Sequence, residues 1–212
     1  MDYEGKYQDY VKLLRMTYAE AVEYLLAKYG PAKENYFKEE GYEKFLAGIN
    51  KTLTKAKGVS RIKEGIYCHH IDEIKALNLS NPRFIWHYRY PYAYQIKNQL
   101  VYCNLIEHLI LHALITYETK LQFGFPGFQI LAQQVNDWYV KKHVPGKTNW
   151  QYQPYQAAYL PSELVEKLNP LLNQLVNLGA SGTAELQQIL NENKIPQERI
   201  ILAFGVFFNF LE

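Results

Sequence analysis

Cysteine is scarce in this chain, with only Cys68 and Cys103 among 212 residues. Two thiols cannot build a disulfide framework. Neither belongs to a C-x-x-C pair, so both read as small core residues of strands rather than zinc ligands. Long apolar runs are missing too. The longest, Ile200–Phe208 interrupted by Gly205, falls well short of the ~20 residues that a membrane-spanning helix needs. The opening MDYEGKYQDY has no basic segment followed by an apolar one, so no signal peptide is expected. A soluble, cytoplasmic protein without a membrane partner is the resulting expectation. Charge imbalance is slight, at +2, and by itself does not point to nucleic acid. With 48% hydrophobic and 21% charged residues, the composition excludes long disorder and allows a substantial core. No internal repeat or low-complexity tract is visible.

What is abundant is tyrosine, at 19 residues, a side chain suited to half-buried or ligand-facing positions. Helical periodicity runs from Tyr7 to Tyr29 through Val11, Leu14, Tyr18, Val22 and Leu25, and Gly30-Pro31 stops it. A second helix is expected over Tyr42–Lys57, with Gly58 as its stop. Val59–His70 then reads as a strand or hairpin, and the aromatic stretch from Asp72 to Lys97 as a long loop. Leu100–Cys103 is a short strand candidate. Asn104 follows as a helix N-cap with Glu107 three positions on, a capping-box spacing, and opens an apolar helix to about Glu118. Further helices are expected at Gly127–Lys142, Ser162–Leu178, Thr183–Asn193 and Gln197–Leu211, with Val144–Tyr159 as an aromatic loop. The fold class that results is α+β and mainly helical. A strand–strand–helix unit at 59–120 sits between helical regions at 1–58 and 121–212.

Candidate chemistry gathers at that unit. Lys51, Lys55, Lys57, Arg61 and Lys63 form a basic run without an acid, just before the pair His69-His70. Such a run either attracts a phosphate backbone or is a solvated loop. His108 and His112 are spaced i,i+4 on the apolar helix, which puts both on one face with Cβ atoms about 5–6 Å apart. Taken alone, that pair reads most simply as core histidines bonded to backbone. Charged imidazolium among leucines is costly to desolvate, whereas neutral imidazoles are common ligands for divalent cations. His69-His70 shifts the balance. On a strand, neighbouring side chains point to opposite faces, so one imidazole can address an ion and the other a water or phosphate. Metal-assisted phosphodiester cleavage needs that division of labour.

The run Cys68-His69-His70-Ile71, then Gln99-Leu100-Val101-Tyr102, then Glu107-His108-x-x-x-His112-Ala113-Leu114-Ile115 resembles the HNH (ββα-metal) endonucleases. The likeness is nearest to phage and mobile-element members and covers roughly residues 66–116. It implies a β-hairpin and a helix gripping one divalent ion, with His69, His108 and His112 as ligands and His70 as general base. The implied activity is hydrolysis of phosphodiesters in nucleic acid: double-stranded DNA first, RNA as the alternative. Mg²⁺, Mn²⁺, Zn²⁺ and Ni²⁺ all remain open as the ion, although imidazole ligation favours transition metals.

One position departs from the family. The Asn that holds the base by a hydrogen bond is replaced by Gln99, with Asn98 beside it, and the Gln amide sits one methylene further out. That departure keeps a second reading in play, a catalytically silent HNH-fold protein that binds DNA or regulates, with a structural metal. Asp72 and Glu73 read either as carboxylate partners of the ion or as loop surface. Arg83, Arg89 and Lys97 are candidates for clamping phosphate.

Overall fold

The computed structural model describes residues 2–192, with side chains as far as Ala180. Helix α5 (Leu105–Glu118) is apolar almost all round, and Leu105–Ile115 is buried apart from His108. A helix with no polar face must be covered on every side. The cover comes from α1 (Tyr3–Leu14), α2 (Tyr18–Tyr29), α6 (Phe125–Val135) and α8 (Ser162–Glu192). Side chains from Tyr10 to Val176, drawn from all three sequence regions, therefore share one core.

The start of α5 is fixed by the expected capping box. The Asn104 side chain accepts from the backbone N–H groups of Ile106 and Glu107, both at 3.0 Å, and Glu107 Oε2 accepts from Asn104 N at 2.7 Å. This cap is buried, so its remaining valences must be met inside the protein. Tyr10 takes the Asn104 amide, Lys28 pairs with Glu107 Oε1 at 2.6 Å, and the Tyr29 hydroxyl donates to Oε2.

Strands β1 (Tyr67–His70) and β2 (Leu100–Cys103) pair antiparallel, with His69 opposite Val101 and His70 opposite Leu100. Both faces of this small sheet are buried. Tyr67, Val101 and Cys103 join the helical core around α5. Cys68, Leu100 and Tyr102 join a second, aromatic core containing Tyr36, Phe37, Tyr42 and Ile85. The cysteines are indeed strand residues, and both are free thiols.

Elsewhere the structure redraws several boundaries. The helix expected at Tyr7–Tyr29 is two helices, because Thr17 caps α2 in its own box with Glu20. The apolar spacing happens to stay in phase across the break. The helix expected to reach Lys57 is α3 (Glu39–Leu46). It ends where Gly48 adopts a φ of 77°, well before the glycine expected as its stop. Lys51–Lys57 is therefore not helical, and Lys55 makes an isolated bridge with Phe37. Of Val59–His70, only Tyr67–His70 is strand; Ile62–Glu64 is a 3-10 turn closed by Gly65.

Two loops hold helices. α4 (Pro82–Tyr88) starts on the Asn81 cap with proline in its first turn, a favoured arrangement. α7 (Tyr152–Ala158) lies within the stretch expected as an aromatic loop. α6 continues as a π-helical turn over Asn136–Val140. α8 runs without interruption through the gap expected between Leu178 and Thr183, while the helix expected at Gln197–Leu211 lies outside the described residues. Among the described residues, no helix is long and apolar enough to cross a membrane.

Because the Asn104 cap is buried, its removal leaves the N–H groups of Ile106 and Glu107 without water. Asn104→Ala is expected to destabilise the protein by about 2–3 kcal/mol, against about 1 kcal/mol for Thr17→Ala at the exposed cap of α2. Urea unfolding of the two variants checks the difference; equal effects would show that the buried network around Glu107 adds nothing.

Candidate metal centre

His69 from β1 and His108 and His112 from α5 converge. One nitrogen from each ring lies within 4.8 Å of the others. The strand sends His69 toward α5 because odd-numbered β1 residues face the helical core, and the i,i+4 spacing sends both helix histidines back toward it. His69 Nδ1 lies 3.2 Å from His108 Nε2. His69 is 1% exposed and His112 8%, while His108 keeps partial exposure.

The remote nitrogens of two of the rings reveal which lone pairs face inward, whereas His108 Nδ1 is buried without a hydrogen-bond partner among the described residues. The Tyr18 hydroxyl donates its single proton to the Ile71 carbonyl at 2.9 Å, so its contact with His69 Nε2, also 2.9 Å, has the ring as donor. His69 therefore carries its proton on Nε2, and the Nδ1 lone pair points to the cluster. His112 Nδ1 sits 3.2 Å from the Gly124 carbonyl, which can only accept. Its Nε2 lone pair faces the cluster as well.

Such outward bonds from the far ring nitrogen are what orient histidine ligands in metal sites. Burial, reinforced by the neighbouring imidazoles, holds His69 and His108 well below the ordinary histidine range. Burial lowers His112 to about 4, against a raising bond from Gly124. All three rings are thus neutral at physiological pH, the form that binds metal. The donor set fits a divalent ion of the transition series.

A fourth group approaches. Glu73 Oε2 lies 3.4 Å from His112 Nε2 and 3.7 Å from His69 Nδ1, with its side chain 13% exposed. Burial raises this carboxyl to about 7, although a bond from the Leu79 backbone opposes the shift. Of the two carboxylates weighed from sequence, Glu73 faces the cluster. Asp72 turns to Lys75 at 2.8 Å.

His70 is not part of the trio. It lies on the other face of β1, 1% exposed, with its ring centroid 4.4 Å from that of Tyr36. Its Nε2 sits 3.0 Å from Gln95 Oε1. Gln95 donates its own NH₂ to the Leu79 carbonyl, which fixes the amide orientation, so His70 must be the donor to Oε1 and carries its proton on Nε2. Burial lowers His70 to about 4 despite that bond. The amide that holds His70 is therefore Gln95 and not Gln99, which is half-buried at the end of a 3-10 turn leading into β2. The register of the family's Asn points to Gln99; Gln95 reaches His70 only because the segment after α4 folds back over the sheet.

The basic run divides. Lys51, Lys55 and Lys57 line a groove of about 760 Å³ together with Lys38 and Lys44. The Lys55 ammonium stands over the Tyr36 ring, 4.7 Å from its centroid, and Tyr36 in turn covers His70. Arg61 is engaged within the fold, forked onto Glu64 and donating to the Tyr29 carbonyl. Lys63 is exposed, outside that groove.

Two further residues bear on the site without a signal in the sequence pattern. Tyr18 reads from periodicity only as an inward helix residue. Gly127 packs directly on the His112 ring, where an added Cβ would collide with Cε1 and Nδ1.

Comparison with protein-family models, with curated proteins and with solved structures found no match. The site must be read from its own geometry.

If the three imidazoles address one ion, His108→Ala and His112→Ala each lower bound divalent metal, and the double variant retains none. Gly127→Ala, which displaces His112 without removing a ligand, is expected to weaken binding less than His112→Ala. Elemental analysis after dialysis against a mild chelator measures both; stoichiometric metal in the double variant would remove the helix pair from the centre.

Proposed function

We propose that this chain is a divalent-metal-dependent nuclease of the HNH type, hydrolysing phosphodiester bonds in DNA, with RNA the alternative substrate. The observation that carries the reading is the convergence of three neutral imidazoles from a strand and a helix, two of them with lone pairs turned inward by fixed hydrogen bonds. A divalent ion held there would supply charge stabilisation for the phosphate and for the leaving oxygen.

In this reading His70 is the general base and Gln95 its positioning residue. With its proton on Nε2, His70 offers Nδ1 as the basic nitrogen, and the ring is neutral at physiological pH. The groove lined by Lys51, Lys55 and Lys57 borders His70 through Tyr36. A phosphate backbone lying in it would be neutralised by lysines on the same side as the base. Arg61 adds to this electrostatic field but not as a free cation.

The burial of His70 favours a second reading. A base must reach a water molecule, and a ring closed between Tyr36 and Gln95 suits a catalytically silent DNA-binding or regulatory protein whose ion is structural.

Nicking of supercoiled plasmid with Mg²⁺, Mn²⁺, Zn²⁺ or Ni²⁺ separates the two readings. Open-circular product is expected, and its absence with every ion, in protein that retains metal, selects the silent form. His70→Ala should lower the cleavage rate by about 10²–10⁴ while leaving metal content unchanged. A wild-type rate under single-turnover conditions would remove His70 as the base.

A separate measurement addresses the groove. Replacing Lys51, Lys55 and Lys57 together by Gln should weaken DNA binding and flatten its salt dependence, by about 0.9 in log–log slope for each phosphate no longer neutralised. An unchanged slope would return these lysines to a solvated loop.

A further inference from the structure

The carboxylate of Glu73 raises a question that the three histidines do not answer. The Nδ1 lone pair of His69 and the Nε2 lone pair of His112 both face inward, their protons being committed to Tyr18 and Gly124 on the far sides of the rings. Glu73 Oε2 stands 3.7 Å and 3.4 Å from those same two nitrogens. Two imidazole lone pairs thus face a carboxyl oxygen in a largely buried space. Such groups repel unless a proton or a cation lies between them, and only a cation can be shared by all of them at once.

We propose that Glu73 is a directly bound fourth ligand, giving the ion a three-histidine, one-glutamate donor set. The inference rests on the reading of the trio as a metal centre, not on nuclease activity. Donors bound at about 2.0–2.1 Å in tetrahedral array lie about 3.3–3.4 Å apart. Observed separations are 3.2 Å for His69 to His108, 3.4 Å for Glu73 to His112 and 3.7 Å for Glu73 to His69. Of these residues only the three histidines have donor atoms all within 4.8 Å of one another, so Glu73 must swing further in for an ion to bind all four.

The position of Glu73 follows from the chain. After β1 the backbone turns through a 3-10 segment, Ile71–Ile74, which brings residue 73 back beneath His69 at i,i+4. A bond from the Leu79 backbone also favours the ionised carboxylate. An anionic oxygen added to three neutral imidazoles raises affinity for divalent ions, and the mixed nitrogen–oxygen set suits zinc, cobalt or manganese better than magnesium. Four protein donors also fill a four-coordinate ion, so a phosphate oxygen would have to enter as a fifth ligand or displace Glu73.

Cobalt(II) bound to the full chain in the absence of nucleic acid tests the assignment, because tetrahedral cobalt absorbs strongly in the visible and responds to each ligand. Wild type is expected to bind one cobalt per chain with tetrahedral-type bands. Glu73→Gln should lower the affinity, measured by chelator competition, at least about tenfold, the lower range for groups that support metal ligands even indirectly, and should shift the bands. If Glu73→Gln fails to fold, Glu73→Asp serves in its place: the shorter carboxylate is expected to bind cobalt more weakly, with displaced bands. Wild-type affinity and spectrum in either variant overturns the proposal. Wild type that binds no cobalt overturns it together with the metal centre, whereas metal binding without plasmid nicking would sink the nuclease reading alone.

Discussion

The reciprocal cap between Asn104 and Glu107 sets the geometry on which the rest of the structure depends. It lies at the single-residue junction between β2 and α5, so it fixes the rotational phase of the helix relative to the sheet. His108 and His112 face β1 because α5 starts at Leu105; a start one residue later would turn them by about 100°. The cap is buried, and its carboxylate draws Lys28 and the Tyr29 hydroxyl from α2 while its amide meets Tyr10 from α1. One polar knot therefore ties the site helix, the sheet and the two N-terminal helices together. Buried polar groups are tolerated when every valence is met, and they then specify one arrangement strongly.

A second constraint acts across the sheet. Strand residues alternate between faces, and here each face has its own core. His69 is delivered to the helical side and joins the α5 histidines, while His70 is delivered to the aromatic side and lies under Tyr36. The same pleat assigns them different partners: Tyr18 for His69, Gln95 for His70. Two adjacent residues of one type thus acquire two chemical characters. His69 presents Nδ1 to a cluster of donors, and His70, closed under Tyr36, carries its proton on Nε2. The division between the two rings is encoded in a four-residue strand, and hydrogen bonds from distant segments set each tautomer.

The site is also shaped by what is small. Gly127 at the start of α6 leaves room for the His112 ring, and Gly124, with a φ of 82°, presents the carbonyl that His112 contacts. Any side chain at these places would move the ring or the carbonyl that orients it. The turn between α5 and α6 therefore belongs to the centre as much as the strands do, although it carries no ligand.

By itself the sequence determined the elements whose signals are local. The apolar helix Leu105–Glu118, the Asn104–Glu107 spacing and the short apolar strand at Leu100–Cys103 are each written within a few residues, and each formed as expected. So did the grouping of His69, His108 and His112, because strand alternation and i,i+4 spacing are rules of local geometry. Where two local signals compete, the outcome is not legible: Thr17 and Glu20 break a helix whose apolar period carries on unbroken, and Gly48 ends α3 ahead of Gly58. Tertiary structure alone decided the remainder. Gln95 rather than Gln99 holds His70, Tyr18 fixes the His69 tautomer, Arg61 is taken up by Glu64 and the Tyr29 carbonyl, and Glu73 turns to the histidines while Asp72 turns to Lys75. Most of these depend on two segments far apart in the chain meeting within about 3 Å, the reach of a hydrogen bond. No pattern inside either segment records where the other will lie; that is set by how the whole core packs.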